Sequence, residues 1–428
     1  MAEQTEGAMA PFGLLGRKLG HSWSPQIHAR LGSVPYDLHE LEPEELAGFV
    51  RGGSWLGLNV TIPYKREAAQ LADEVSERVL RLGVANTLVR RTDGTIYADN
   101  SDVLGFAWML ERFCERHLGA TAPEALGAKK CLVLGSGGAS QAVRAALEDA
   151  GAQVIVISRS GDETYETLVE RHADAALMVN TTPVGMYPNC PATPVSREDM
   201  EKISGLRGVL DIVYNPERTG LCLIAEELGI PSESGLAMLV GQARFSSELF
   251  QGCPIGDELL EKIEVELRSL TRNVVLIGMP GAGKTSCGKR LARMLGRPFV
   301  DIDEAILQDT GRSAAQIIQE DGEDAFRQVE AEVTGTYCKR SGMVIACGGG
   351  VVTRPQNRDL LRQNGRVVLV DRPLDELSDK GRPVSQAKGV ERLAAERMHL
   401  YHEWADVILK CTGSAQSDAE LVKELLRL

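Results

Sequence analysis

The sequence has none of the features that mark a secreted or membrane protein. No apolar stretch reaches the roughly 18 residues that cross a bilayer, and the first residues lack the basic start and apolar run of a signal peptide. The 9 cysteines form no C-x-x-C pair and no cluster with histidine, which argues against a disulfide framework or a zinc site. We therefore expect a cytoplasmic protein with reduced thiols and no membrane partner.

Basic residues are also fewer than acidic residues. The chain has 47 Lys and Arg against 60 Asp and Glu, a formal net charge of −13, which argues against a general nucleic-acid partner. With 43% hydrophobic and 25% charged residues the composition is that of a globular protein. Because 428 residues exceed one ordinary hydrophobic core, the length predicts two or three domains.

Apolar segments alternate with amphipathic, helix-like segments along most of the chain. Segments such as 131–134, 154–157, 274–277 and 367–370 are rich in Val, Ile and Leu on both faces. Such runs are more typical of buried parallel strands than of a half-exposed antiparallel sheet. We therefore predict an α/β fold with ligands at the carboxyl ends of the strands.

One of these segments, 274–277, runs into the pattern Gly278-x-x-x-x-Gly283-Lys284-Thr285. This is a P-loop pattern in its expected context, between a strand and a helix. Backbone N–H groups of such a loop surround phosphates, the Lys neutralises the β- and γ-phosphate charge, and the Thr hydroxyl is suited to Mg²⁺. The pattern predicts an ATP-type nucleotide site formed by Gly278, Gly281, Ala282, Gly283, Lys284 and Thr285.

A second glycine-rich turn, with a different spacing, follows the segment 131–134. It comprises Gly135, Gly137, Gly138, Ala139 and Ser140, opens a helix, and favours the pyrophosphate of a dinucleotide. The next strand ends in Ser158 and Arg159, without the acidic residue that would bind the ribose 2′-OH of NAD. Arg159 is suited to a 2′-phosphate, so we predict NADP(H) as the cofactor. The nearby acids Asp162 and Glu163 keep NAD as an alternative.

Five further motifs follow the P-loop, at 299–303, 326–330, 348–350, 381–383 and 397–401. In this order they resemble the motifs of shikimate kinase, over residues 271–428. The resemblance implies that Asp301 and Thr285 hold Mg²⁺ and that Asp303 is catalytic and orients the hydroxyl to be phosphorylated. It implies that Arg382, on a lid, is catalytic and contacts ATP. The shikimate-binding residues would be Asp303, Arg327, Gly348, Gly349, Gly350 and Arg397. The segment before Arg382 is shorter than in most of that family, and Lys380 is its only cation.

A separate set of motifs occupies the first 255 residues, at 20–25, 59–65, 85–87, 99–102, 180–185, 211–216 and 235–242. These resemble shikimate dehydrogenase over residues 10–255. The resemblance implies that Lys65 and Asp102 form the catalytic pair, that Tyr214 lies between substrate and nicotinamide, and that Gly235 adjoins the cofactor. The substrate-binding residues would be Ser22, Ser24, Thr61, Asn86, Asp102, Tyr214 and Gln242.

Together the resemblances imply a bifunctional enzyme of the shikimate pathway with small-molecule substrates. It would reduce 3-dehydroshikimate to shikimate with NADPH and then phosphorylate shikimate with MgATP. The predicted dehydrogenase spans 1–256, with a substrate lobe at about 10–104 plus 236–250 and a Rossmann-like lobe at about 105–235. A helical connector at 257–270 precedes a P-loop domain, similar to nucleoside monophosphate kinases, at 271–428.

Two other functions fit the same residues. One is an NAD-using quinate/shikimate dehydrogenase fused to the kinase. The other is a kinase whose N-terminal half only binds a ligand, which the presence of both Lys65 and Asp102 disfavours because a sensor needs no proton donor. Plainer structural roles also exist: Lys65 with Asp102 as a surface ion pair, and Arg327 with Glu330 as an i,i+3 helix pair.

Overall fold

The structure, a computed structural model, describes residues 10–20, 22–377 and 389–428. It divides into two compact units. The first contains the described residues up to Pro183 together with Pro194–Tyr214 and Ile224–Val265. The second contains Val184–Thr193, Asn215–Leu223 and the described residues from Glu266 onward. The predicted lid residues Lys380 and Arg382 lie outside the described residues.

The first unit contains two sheets, and the first of them has six strands in the order β2-β1-β3-β5-β6-β4. Its strands are β1 (Phe12–Gly16), β2 (Tyr36–Glu40), β3 (Gly57–Val60), β4 (Glu74–Val75), β5 (Thr87–Arg90) and β6 (Ile96–Asp99). Strand β1 pairs in parallel with β2 and β3, and β4 pairs in parallel with β6. Strand β5 pairs antiparallel with both β3 and β6.

No strand direction was predicted for β5, which runs antiparallel to both of its neighbours. The reason is a tight turn between β5 and β6, where Asp93 Oδ1 accepts a hydrogen bond from the Thr95 amide at 3.0 Å. Gly94 follows with φ 88°, a left-handed conformation that glycine adopts without steric cost. An Asp-Gly pair of this kind typically joins two antiparallel strands.

The second sheet of this unit is entirely parallel, in the order β11-β10-β9-β7-β8. Its strands are β7 (Lys130–Leu134), β8 (Gln153–Ile157), β9 (Leu177–Asn180), β10 (Gly208–Asp211) and β11 (Ser232–Ser234). The helices up to the unit boundary are α1 (Ser24–Leu31), α2 (Pro43–Gly52), α3 (Lys65–Leu71), α4 (Glu77–Leu82), α5 (Ser101–Phe113), α6 (Ala122–Leu126), α7 (Gly138–Asp149), α8 (Leu168–His172), α9 (Arg197–Lys202), α10 (Gly220–Glu227), α11 (Leu236–Gln251) and α12 (Asp257–Thr271). A π-helical turn, Cys114–Leu118, extends α5.

Helices α5 and α11 cross closely at a pair of glycines. A Cβ on Gly105 of α5 would lie 2.6 Å from the Gln242 amide nitrogen, and one on Gly241 of α11 would lie 3.1 Å from the Gly105 Cα. Only glycine allows this approach. The crossing fixes the start of α5, which carries Asp102, relative to Gln242.

The second unit has one parallel sheet, in the order β13-β14-β12-β15-β16. Its strands are β12 (Asn273–Ile277), β13 (Phe299–Asp301), β14 (Val344–Ala346), β15 (Gly365–Asp371) and β16 (Val407–Lys410). Its remaining helices are α13 (Lys284–Leu295), α14 (Ile302–Thr310), α15 (Ala314–Asp321), α16 (Glu323–Cys338), α17 (Asn357–Arg362), α18 (Val390–Trp404) and α19 (Ala415–Leu426), with 3₁₀ turns at Val351–Thr353 and Leu374–Glu376. Apolar residues of both sheet faces are buried, as the sequence pattern predicted.

Helix α12 contains the unit boundary, between Val265 and Glu266. In the first unit, Glu264 of this helix pairs with Arg112 of α5, and the two side chains are 6% and 12% exposed. In the second unit, Glu217 accepts a hydrogen bond from Arg272 Nε at 2.7 Å, and the Arg218 amide donates to the Gln363 carbonyl at 2.8 Å. These bonds explain why residues 215–223 belong to the second unit.

None of the nine cysteines, all of which lie in the described ranges, forms a disulfide. Within the described ranges, no helix combines the length and the apolar character needed to cross a bilayer.

Candidate active sites

Lys65 and Asp102 lie together at the carboxyl ends of β3 and β6. Lys65 is the first residue of α3, and its carbonyl accepts a hydrogen bond from the Ala85 amide at 2.8 Å. Asp102 is in the first turn of α5, where its amide donates to the capping Asn100 Oδ1 at 3.1 Å. Lys65 Nζ lies 2.6 Å from Asp102 Oδ2, and the side chains are 26% and 15% exposed. The pair is therefore partly desolvated, unlike an ordinary surface ion pair.

Asn86 holds the two strand ends and the start of α5 together. Its carbonyl accepts from the Val60 amide at 2.7 Å, and its amide donates to the Asp99 carbonyl at 3.1 Å. Its side chain, in a residue 3% exposed, donates from Nδ2 to Ser101 Oγ at 3.0 Å and accepts at Oδ1 from the Ser101 amide at 2.7 Å. The structure thus gives Asn86 a part in positioning Asp102, which the sequence motif alone did not indicate.

The other predicted substrate residues come from the ends of β1 and β3 and from later in the chain. The Thr61 amide donates to the Leu15 carbonyl at 2.9 Å, and Ser22 Oγ accepts from the Ser24 amide at 3.2 Å. The Tyr214 ring packs on Trp23 with centroids 5.1 Å apart, which brings Tyr214 beside the Ser22–Ser24 segment. Burial raises the pKa of Tyr214. Trp23 was not selected from the sequence, and the structure places it against the candidate site residue Tyr214.

The glycine-rich turn after β7 leads into the N-terminus of α7, as predicted. Gly135 has φ 101°, and a Cβ there would lie 2.8 Å from Thr182 Cγ2. Gly137 precedes the first helical residue, Gly138. Backbone N–H groups at such a helix start form a site for an anion such as pyrophosphate. Ser140, 1% exposed, packs into the interior. Gly235, before α11, fits closely against β10, since a Cβ there would lie 2.0 Å from the Ile212 carbonyl oxygen.

The predicted cofactor cation, Arg159, is exposed just after β8. The carboxylate of Glu163 accepts a hydrogen bond of 3.2 Å from Arg171 Nη1 and lies 3.2 Å from His172 Nε2. The hydrogen bond with His172 and the charge of Arg171 lower the pKa of Glu163. The Ser158 amide donates to the Glu163 carbonyl at 3.0 Å, which closes the loop. The charge of Glu163 is therefore compensated by Arg171 of α8.

The P-loop of the second unit has the backbone that its glycines predict. Gly278, Gly281 and Gly283 have φ of 139°, 86° and 101°, and a Cβ on Gly278 would lie 2.6 Å from the Val370 carbonyl oxygen. Lys284 begins α13 and is 8% exposed. Its Nζ donates to the carbonyls of Gly278 at 2.8 Å and Met279 at 2.9 Å. The lysine charge thus lies inside the curve of the loop.

Thr285, Asp301 and Asp303 form an oxygen-rich group beside this loop. Thr285 Oγ1 donates to Asp301 Oδ2 at 2.6 Å, and Asp301 Oδ1 accepts from the Asp303 amide at 3.0 Å. A hydroxyl and a carboxylate suit Mg²⁺, which commonly takes one or two protein carboxylates and completes its shell with water and phosphate. Desolvation and the neighbouring carboxylates of Asp301 and Glu330 raise the pKa of Asp303 to about 6, against the opposing charges of Lys284 and Arg327.

The predicted substrate arginines surround the glycine triplet 348–350. Arg397, 2% exposed, donates from Nη1 to the Gly349 carbonyl at 2.9 Å. A Cβ on Gly350 would lie 1.8 Å from Arg327 Nη1, and one on Gly348 would lie 3.1 Å from Asp303 Oδ1. The triplet therefore brings Arg327, Arg397 and Asp303 to one place.

Two residues of this site were not selected as site residues from the sequence. Glu330, 1% exposed, lies 2.6 Å from Arg327 Nη1, so the i,i+3 pair exists, but it is buried in the site rather than on the surface. Tyr401 donates its hydroxyl to the Gly349 carbonyl, and burial raises its pKa to about 12. The sequence alone does not show which residues of α16 and α18 face the triplet. The fold shows that Glu330 and Tyr401 do.

The fold and the two sites define a dinucleotide-dependent dehydrogenase joined to a P-loop kinase. Residues 14–88 match the family described as shikimate dehydrogenase substrate binding domain, and residues 280–428 match shikimate kinase. A Clostridium perfringens protein named shikimate dehydrogenase (NADP(+)) is 34% identical over 282 residues, covering 61% of this chain and 99% of that protein. A Nitrosomonas europaea shikimate kinase is 39% identical over 168 residues, covering 37% of this chain and 79% of that protein.

A solved structure shows a similar fold for the N-terminal part of the chain. The chorismate mutase/shikimate 5-dehydrogenase fusion protein from Clostridium acetobutylicum is 33% identical with a TM-score of 0.54, covering 60% of this chain and 96% of that one. The chain belongs to the shikimate dehydrogenase family in its N-terminal part and to the shikimate kinase family in its C-terminal part. The predicted α/β fold, the resemblances and the two enzymatic activities are confirmed.

Proposed function

We propose that Lys65 is the proton donor in the reduction of 3-dehydroshikimate to shikimate, and that Asp102 positions it. NADPH, when bound, supplies the hydride. As the ketone oxygen gains negative charge, Lys65 transfers a proton to it. Asp102, at 2.6 Å, fixes the direction of the ammonium group and stabilises its charged form before transfer. Asn86 supports this pair by holding the first residue of α5.

The cofactor proposed for this half is NADP(H) rather than NAD. Arg159 supports it, because a guanidinium matches a 2′-phosphate with charge-assisted hydrogen bonds. Glu163, the main argument for NAD, has its carboxylate bonded to Arg171 and His172. The NADP(+) in the name of the Clostridium perfringens relative supports the same choice.

In the second unit, we propose that the 3-hydroxyl of shikimate is phosphorylated at the glycine triplet. Arg327 and Arg397 would hold the substrate carboxylate, for which a planar guanidinium fork is well suited. Asp303, with a pKa of about 6, is largely ionised at neutral pH and can accept the hydroxyl proton. Lys284 stabilises charge on the phosphates of ATP, and Thr285 with Asp301 would hold Mg²⁺.

The observation that carries the dehydrogenase proposal is the half-buried Lys65–Asp102 pair, which a ligand-binding module would not require. The test is the absorbance of the purified full-length protein at 340 nm after addition of shikimate with NADP⁺ or NAD⁺. Reduction with NADP⁺ that exceeds reduction with NAD⁺ is the expected result. Absence of reduction with retained shikimate binding would establish the binding module instead, and a preference for NAD⁺ would establish the alternative dehydrogenase.

A further inference from the structure

Arg372 lies against the phosphate loop although it belongs to none of the motifs considered so far. It follows directly after β15, which neighbours β12 in the parallel sheet, so β15 ends at the edge where the loop begins. Its Nε donates to the Ala282 carbonyl at 3.2 Å, and its side chain is 20% exposed. A cation is thus fixed at the edge of the sheet where α/β proteins bind their ligands.

The bond to Ala282 fixes the orientation of a loop peptide. In a trans peptide the carbonyl of one residue and the N–H of the next point in opposite directions. Cys411, at the end of β16, also directs its thiol to the Ala282 carbonyl, at 3.7 Å. Because both groups hold this oxygen on the side of β15 and β16, the Gly283 N–H points to the opposite side, into the loop.

The rest of the guanidinium lies over the start of α13. Arg372 Nη2 is 3.7 Å from the position of a Cβ on Gly283, the residue that precedes the helix. Its Nη1 lies 3.6 Å from the exposed carboxylate of Glu376, beyond hydrogen-bond distance. A helix N-terminus and a guanidinium at the same place both favour a phosphate group.

We propose that Arg372 is a nucleotide-binding residue of the kinase site, holding the Ala282–Gly283 peptide and adding a second fixed positive charge beside Lys284 for the phosphates of ATP or ADP. The inference rests on the assignment of the loop as the nucleotide site. A charge-assisted contact to phosphate contributes about 1.5–3 kcal/mol, so its removal should weaken nucleotide binding roughly 10- to 150-fold.

The test is titration calorimetry of the full-length protein with ADP, together with kinase kinetics. Arg372→Ala should raise the Kd for ADP and the KM for ATP at least about tenfold, with the KM for shikimate unchanged. Arg372→Lys, which keeps the charge, should bind ADP more tightly than Arg372→Gln, which keeps only a donor. Arg366→Ala is the matched control, since Arg366 is exposed on the same strand.

An ADP affinity within twofold of the parent in Arg372→Ala would overturn the proposal. If that variant unfolds, the Lys and Gln variants decide, and equal affinities for ADP in those two would overturn it. Lys284→Ala tests the site assignment separately from the role of Arg372. If the affinity for ADP is unchanged without Lys284, the loop is not the nucleotide site. Dehydrogenase turnover equal to that of the parent would show that each variant is folded.

Discussion

Replacing Asp303 by Asn should impair the kinase and at the same time stabilise the second unit at neutral pH. In the folded protein the pKa of Asp303 rises from 3.8 to about 6, through desolvation and then through Asp301 and Glu330. A rise of that size corresponds to at most about 3 kcal/mol against the ionised form. Because Asp303 is exposed to solvent, screening reduces this free-energy cost of ionisation to about 1 kcal/mol.

The sign follows from proton linkage. Folded Asp303 binds its proton more tightly than the unfolded chain does, so its ionisation opposes folding, and stability falls as pH rises from about 4 to about 6. Asp303→Asn removes that cost. The expected gain is about 2–4 °C in the melting temperature of the kinase unit at pH 7.5, shrinking as pH is lowered through 6.

The assay combines differential scanning calorimetry at several pH values with kinase kinetics. The kinase kcat should fall about 10²- to 10⁴-fold, because the group that accepts the hydroxyl proton is lost. In the parent protein, kcat should decline as pH falls through about 6, where Asp303 becomes protonated. Asp309→Asn, on the exposed side of the same helix, is the control. A lower melting temperature for Asp303→Asn at pH 7.5, or an unchanged kcat, would refute the reasoning.

Three further substitutions test the separate sites. Lys65→Ala should lower dehydrogenase turnover about 10²- to 10⁴-fold with an unchanged kinase rate, and a near-normal reduction rate would remove Lys65 from the mechanism. Lys284→Ala should abolish phosphorylation but leave hydride transfer unchanged, and a parallel loss of both activities in a folded protein would contradict two independent sites. Arg159→Ala should raise the KM for NADPH at least about tenfold and leave that for NADH unchanged, because it removes a charge-assisted contact worth about 1.5–3 kcal/mol. Equal losses with both cofactors would show that Arg159 does not contact the 2′-phosphate.

Local patterns predicted most of what lies close in sequence. The glycines at 278, 281 and 283 specify the loop conformation themselves, because few other residues adopt positive φ. The alternation of apolar and amphipathic segments likewise predicted an α/β fold with buried parallel strands, which the structure has. No prediction covered the antiparallel β5, although the Asp93-Gly94 turn that joins it to β6 is present in the sequence.

The remainder depends on contacts that no sequence motif describes. Glu163 argued against NADP(H) until the fold showed its carboxylate in contact with Arg171 and His172, both on α8. Arg372 carried no motif, and only the pairing of β15 with β12 brings it to the phosphate loop. The place of Arg372 is set by the sheet order, which the sequence pattern does not specify.

The presence of both enzymes in one chain is tested most directly by a coupled assay. The purified full-length protein is given 3-dehydroshikimate with NADPH and MgATP. We predict NADPH oxidation together with formation of ADP and shikimate 3-phosphate, with both steps present in a single polypeptide. Omission of MgATP should leave shikimate as the accumulating product. NADPH oxidation without any shikimate 3-phosphate, or phosphorylation of added shikimate without reduction of 3-dehydroshikimate, would contradict the claim that one chain carries both enzymes.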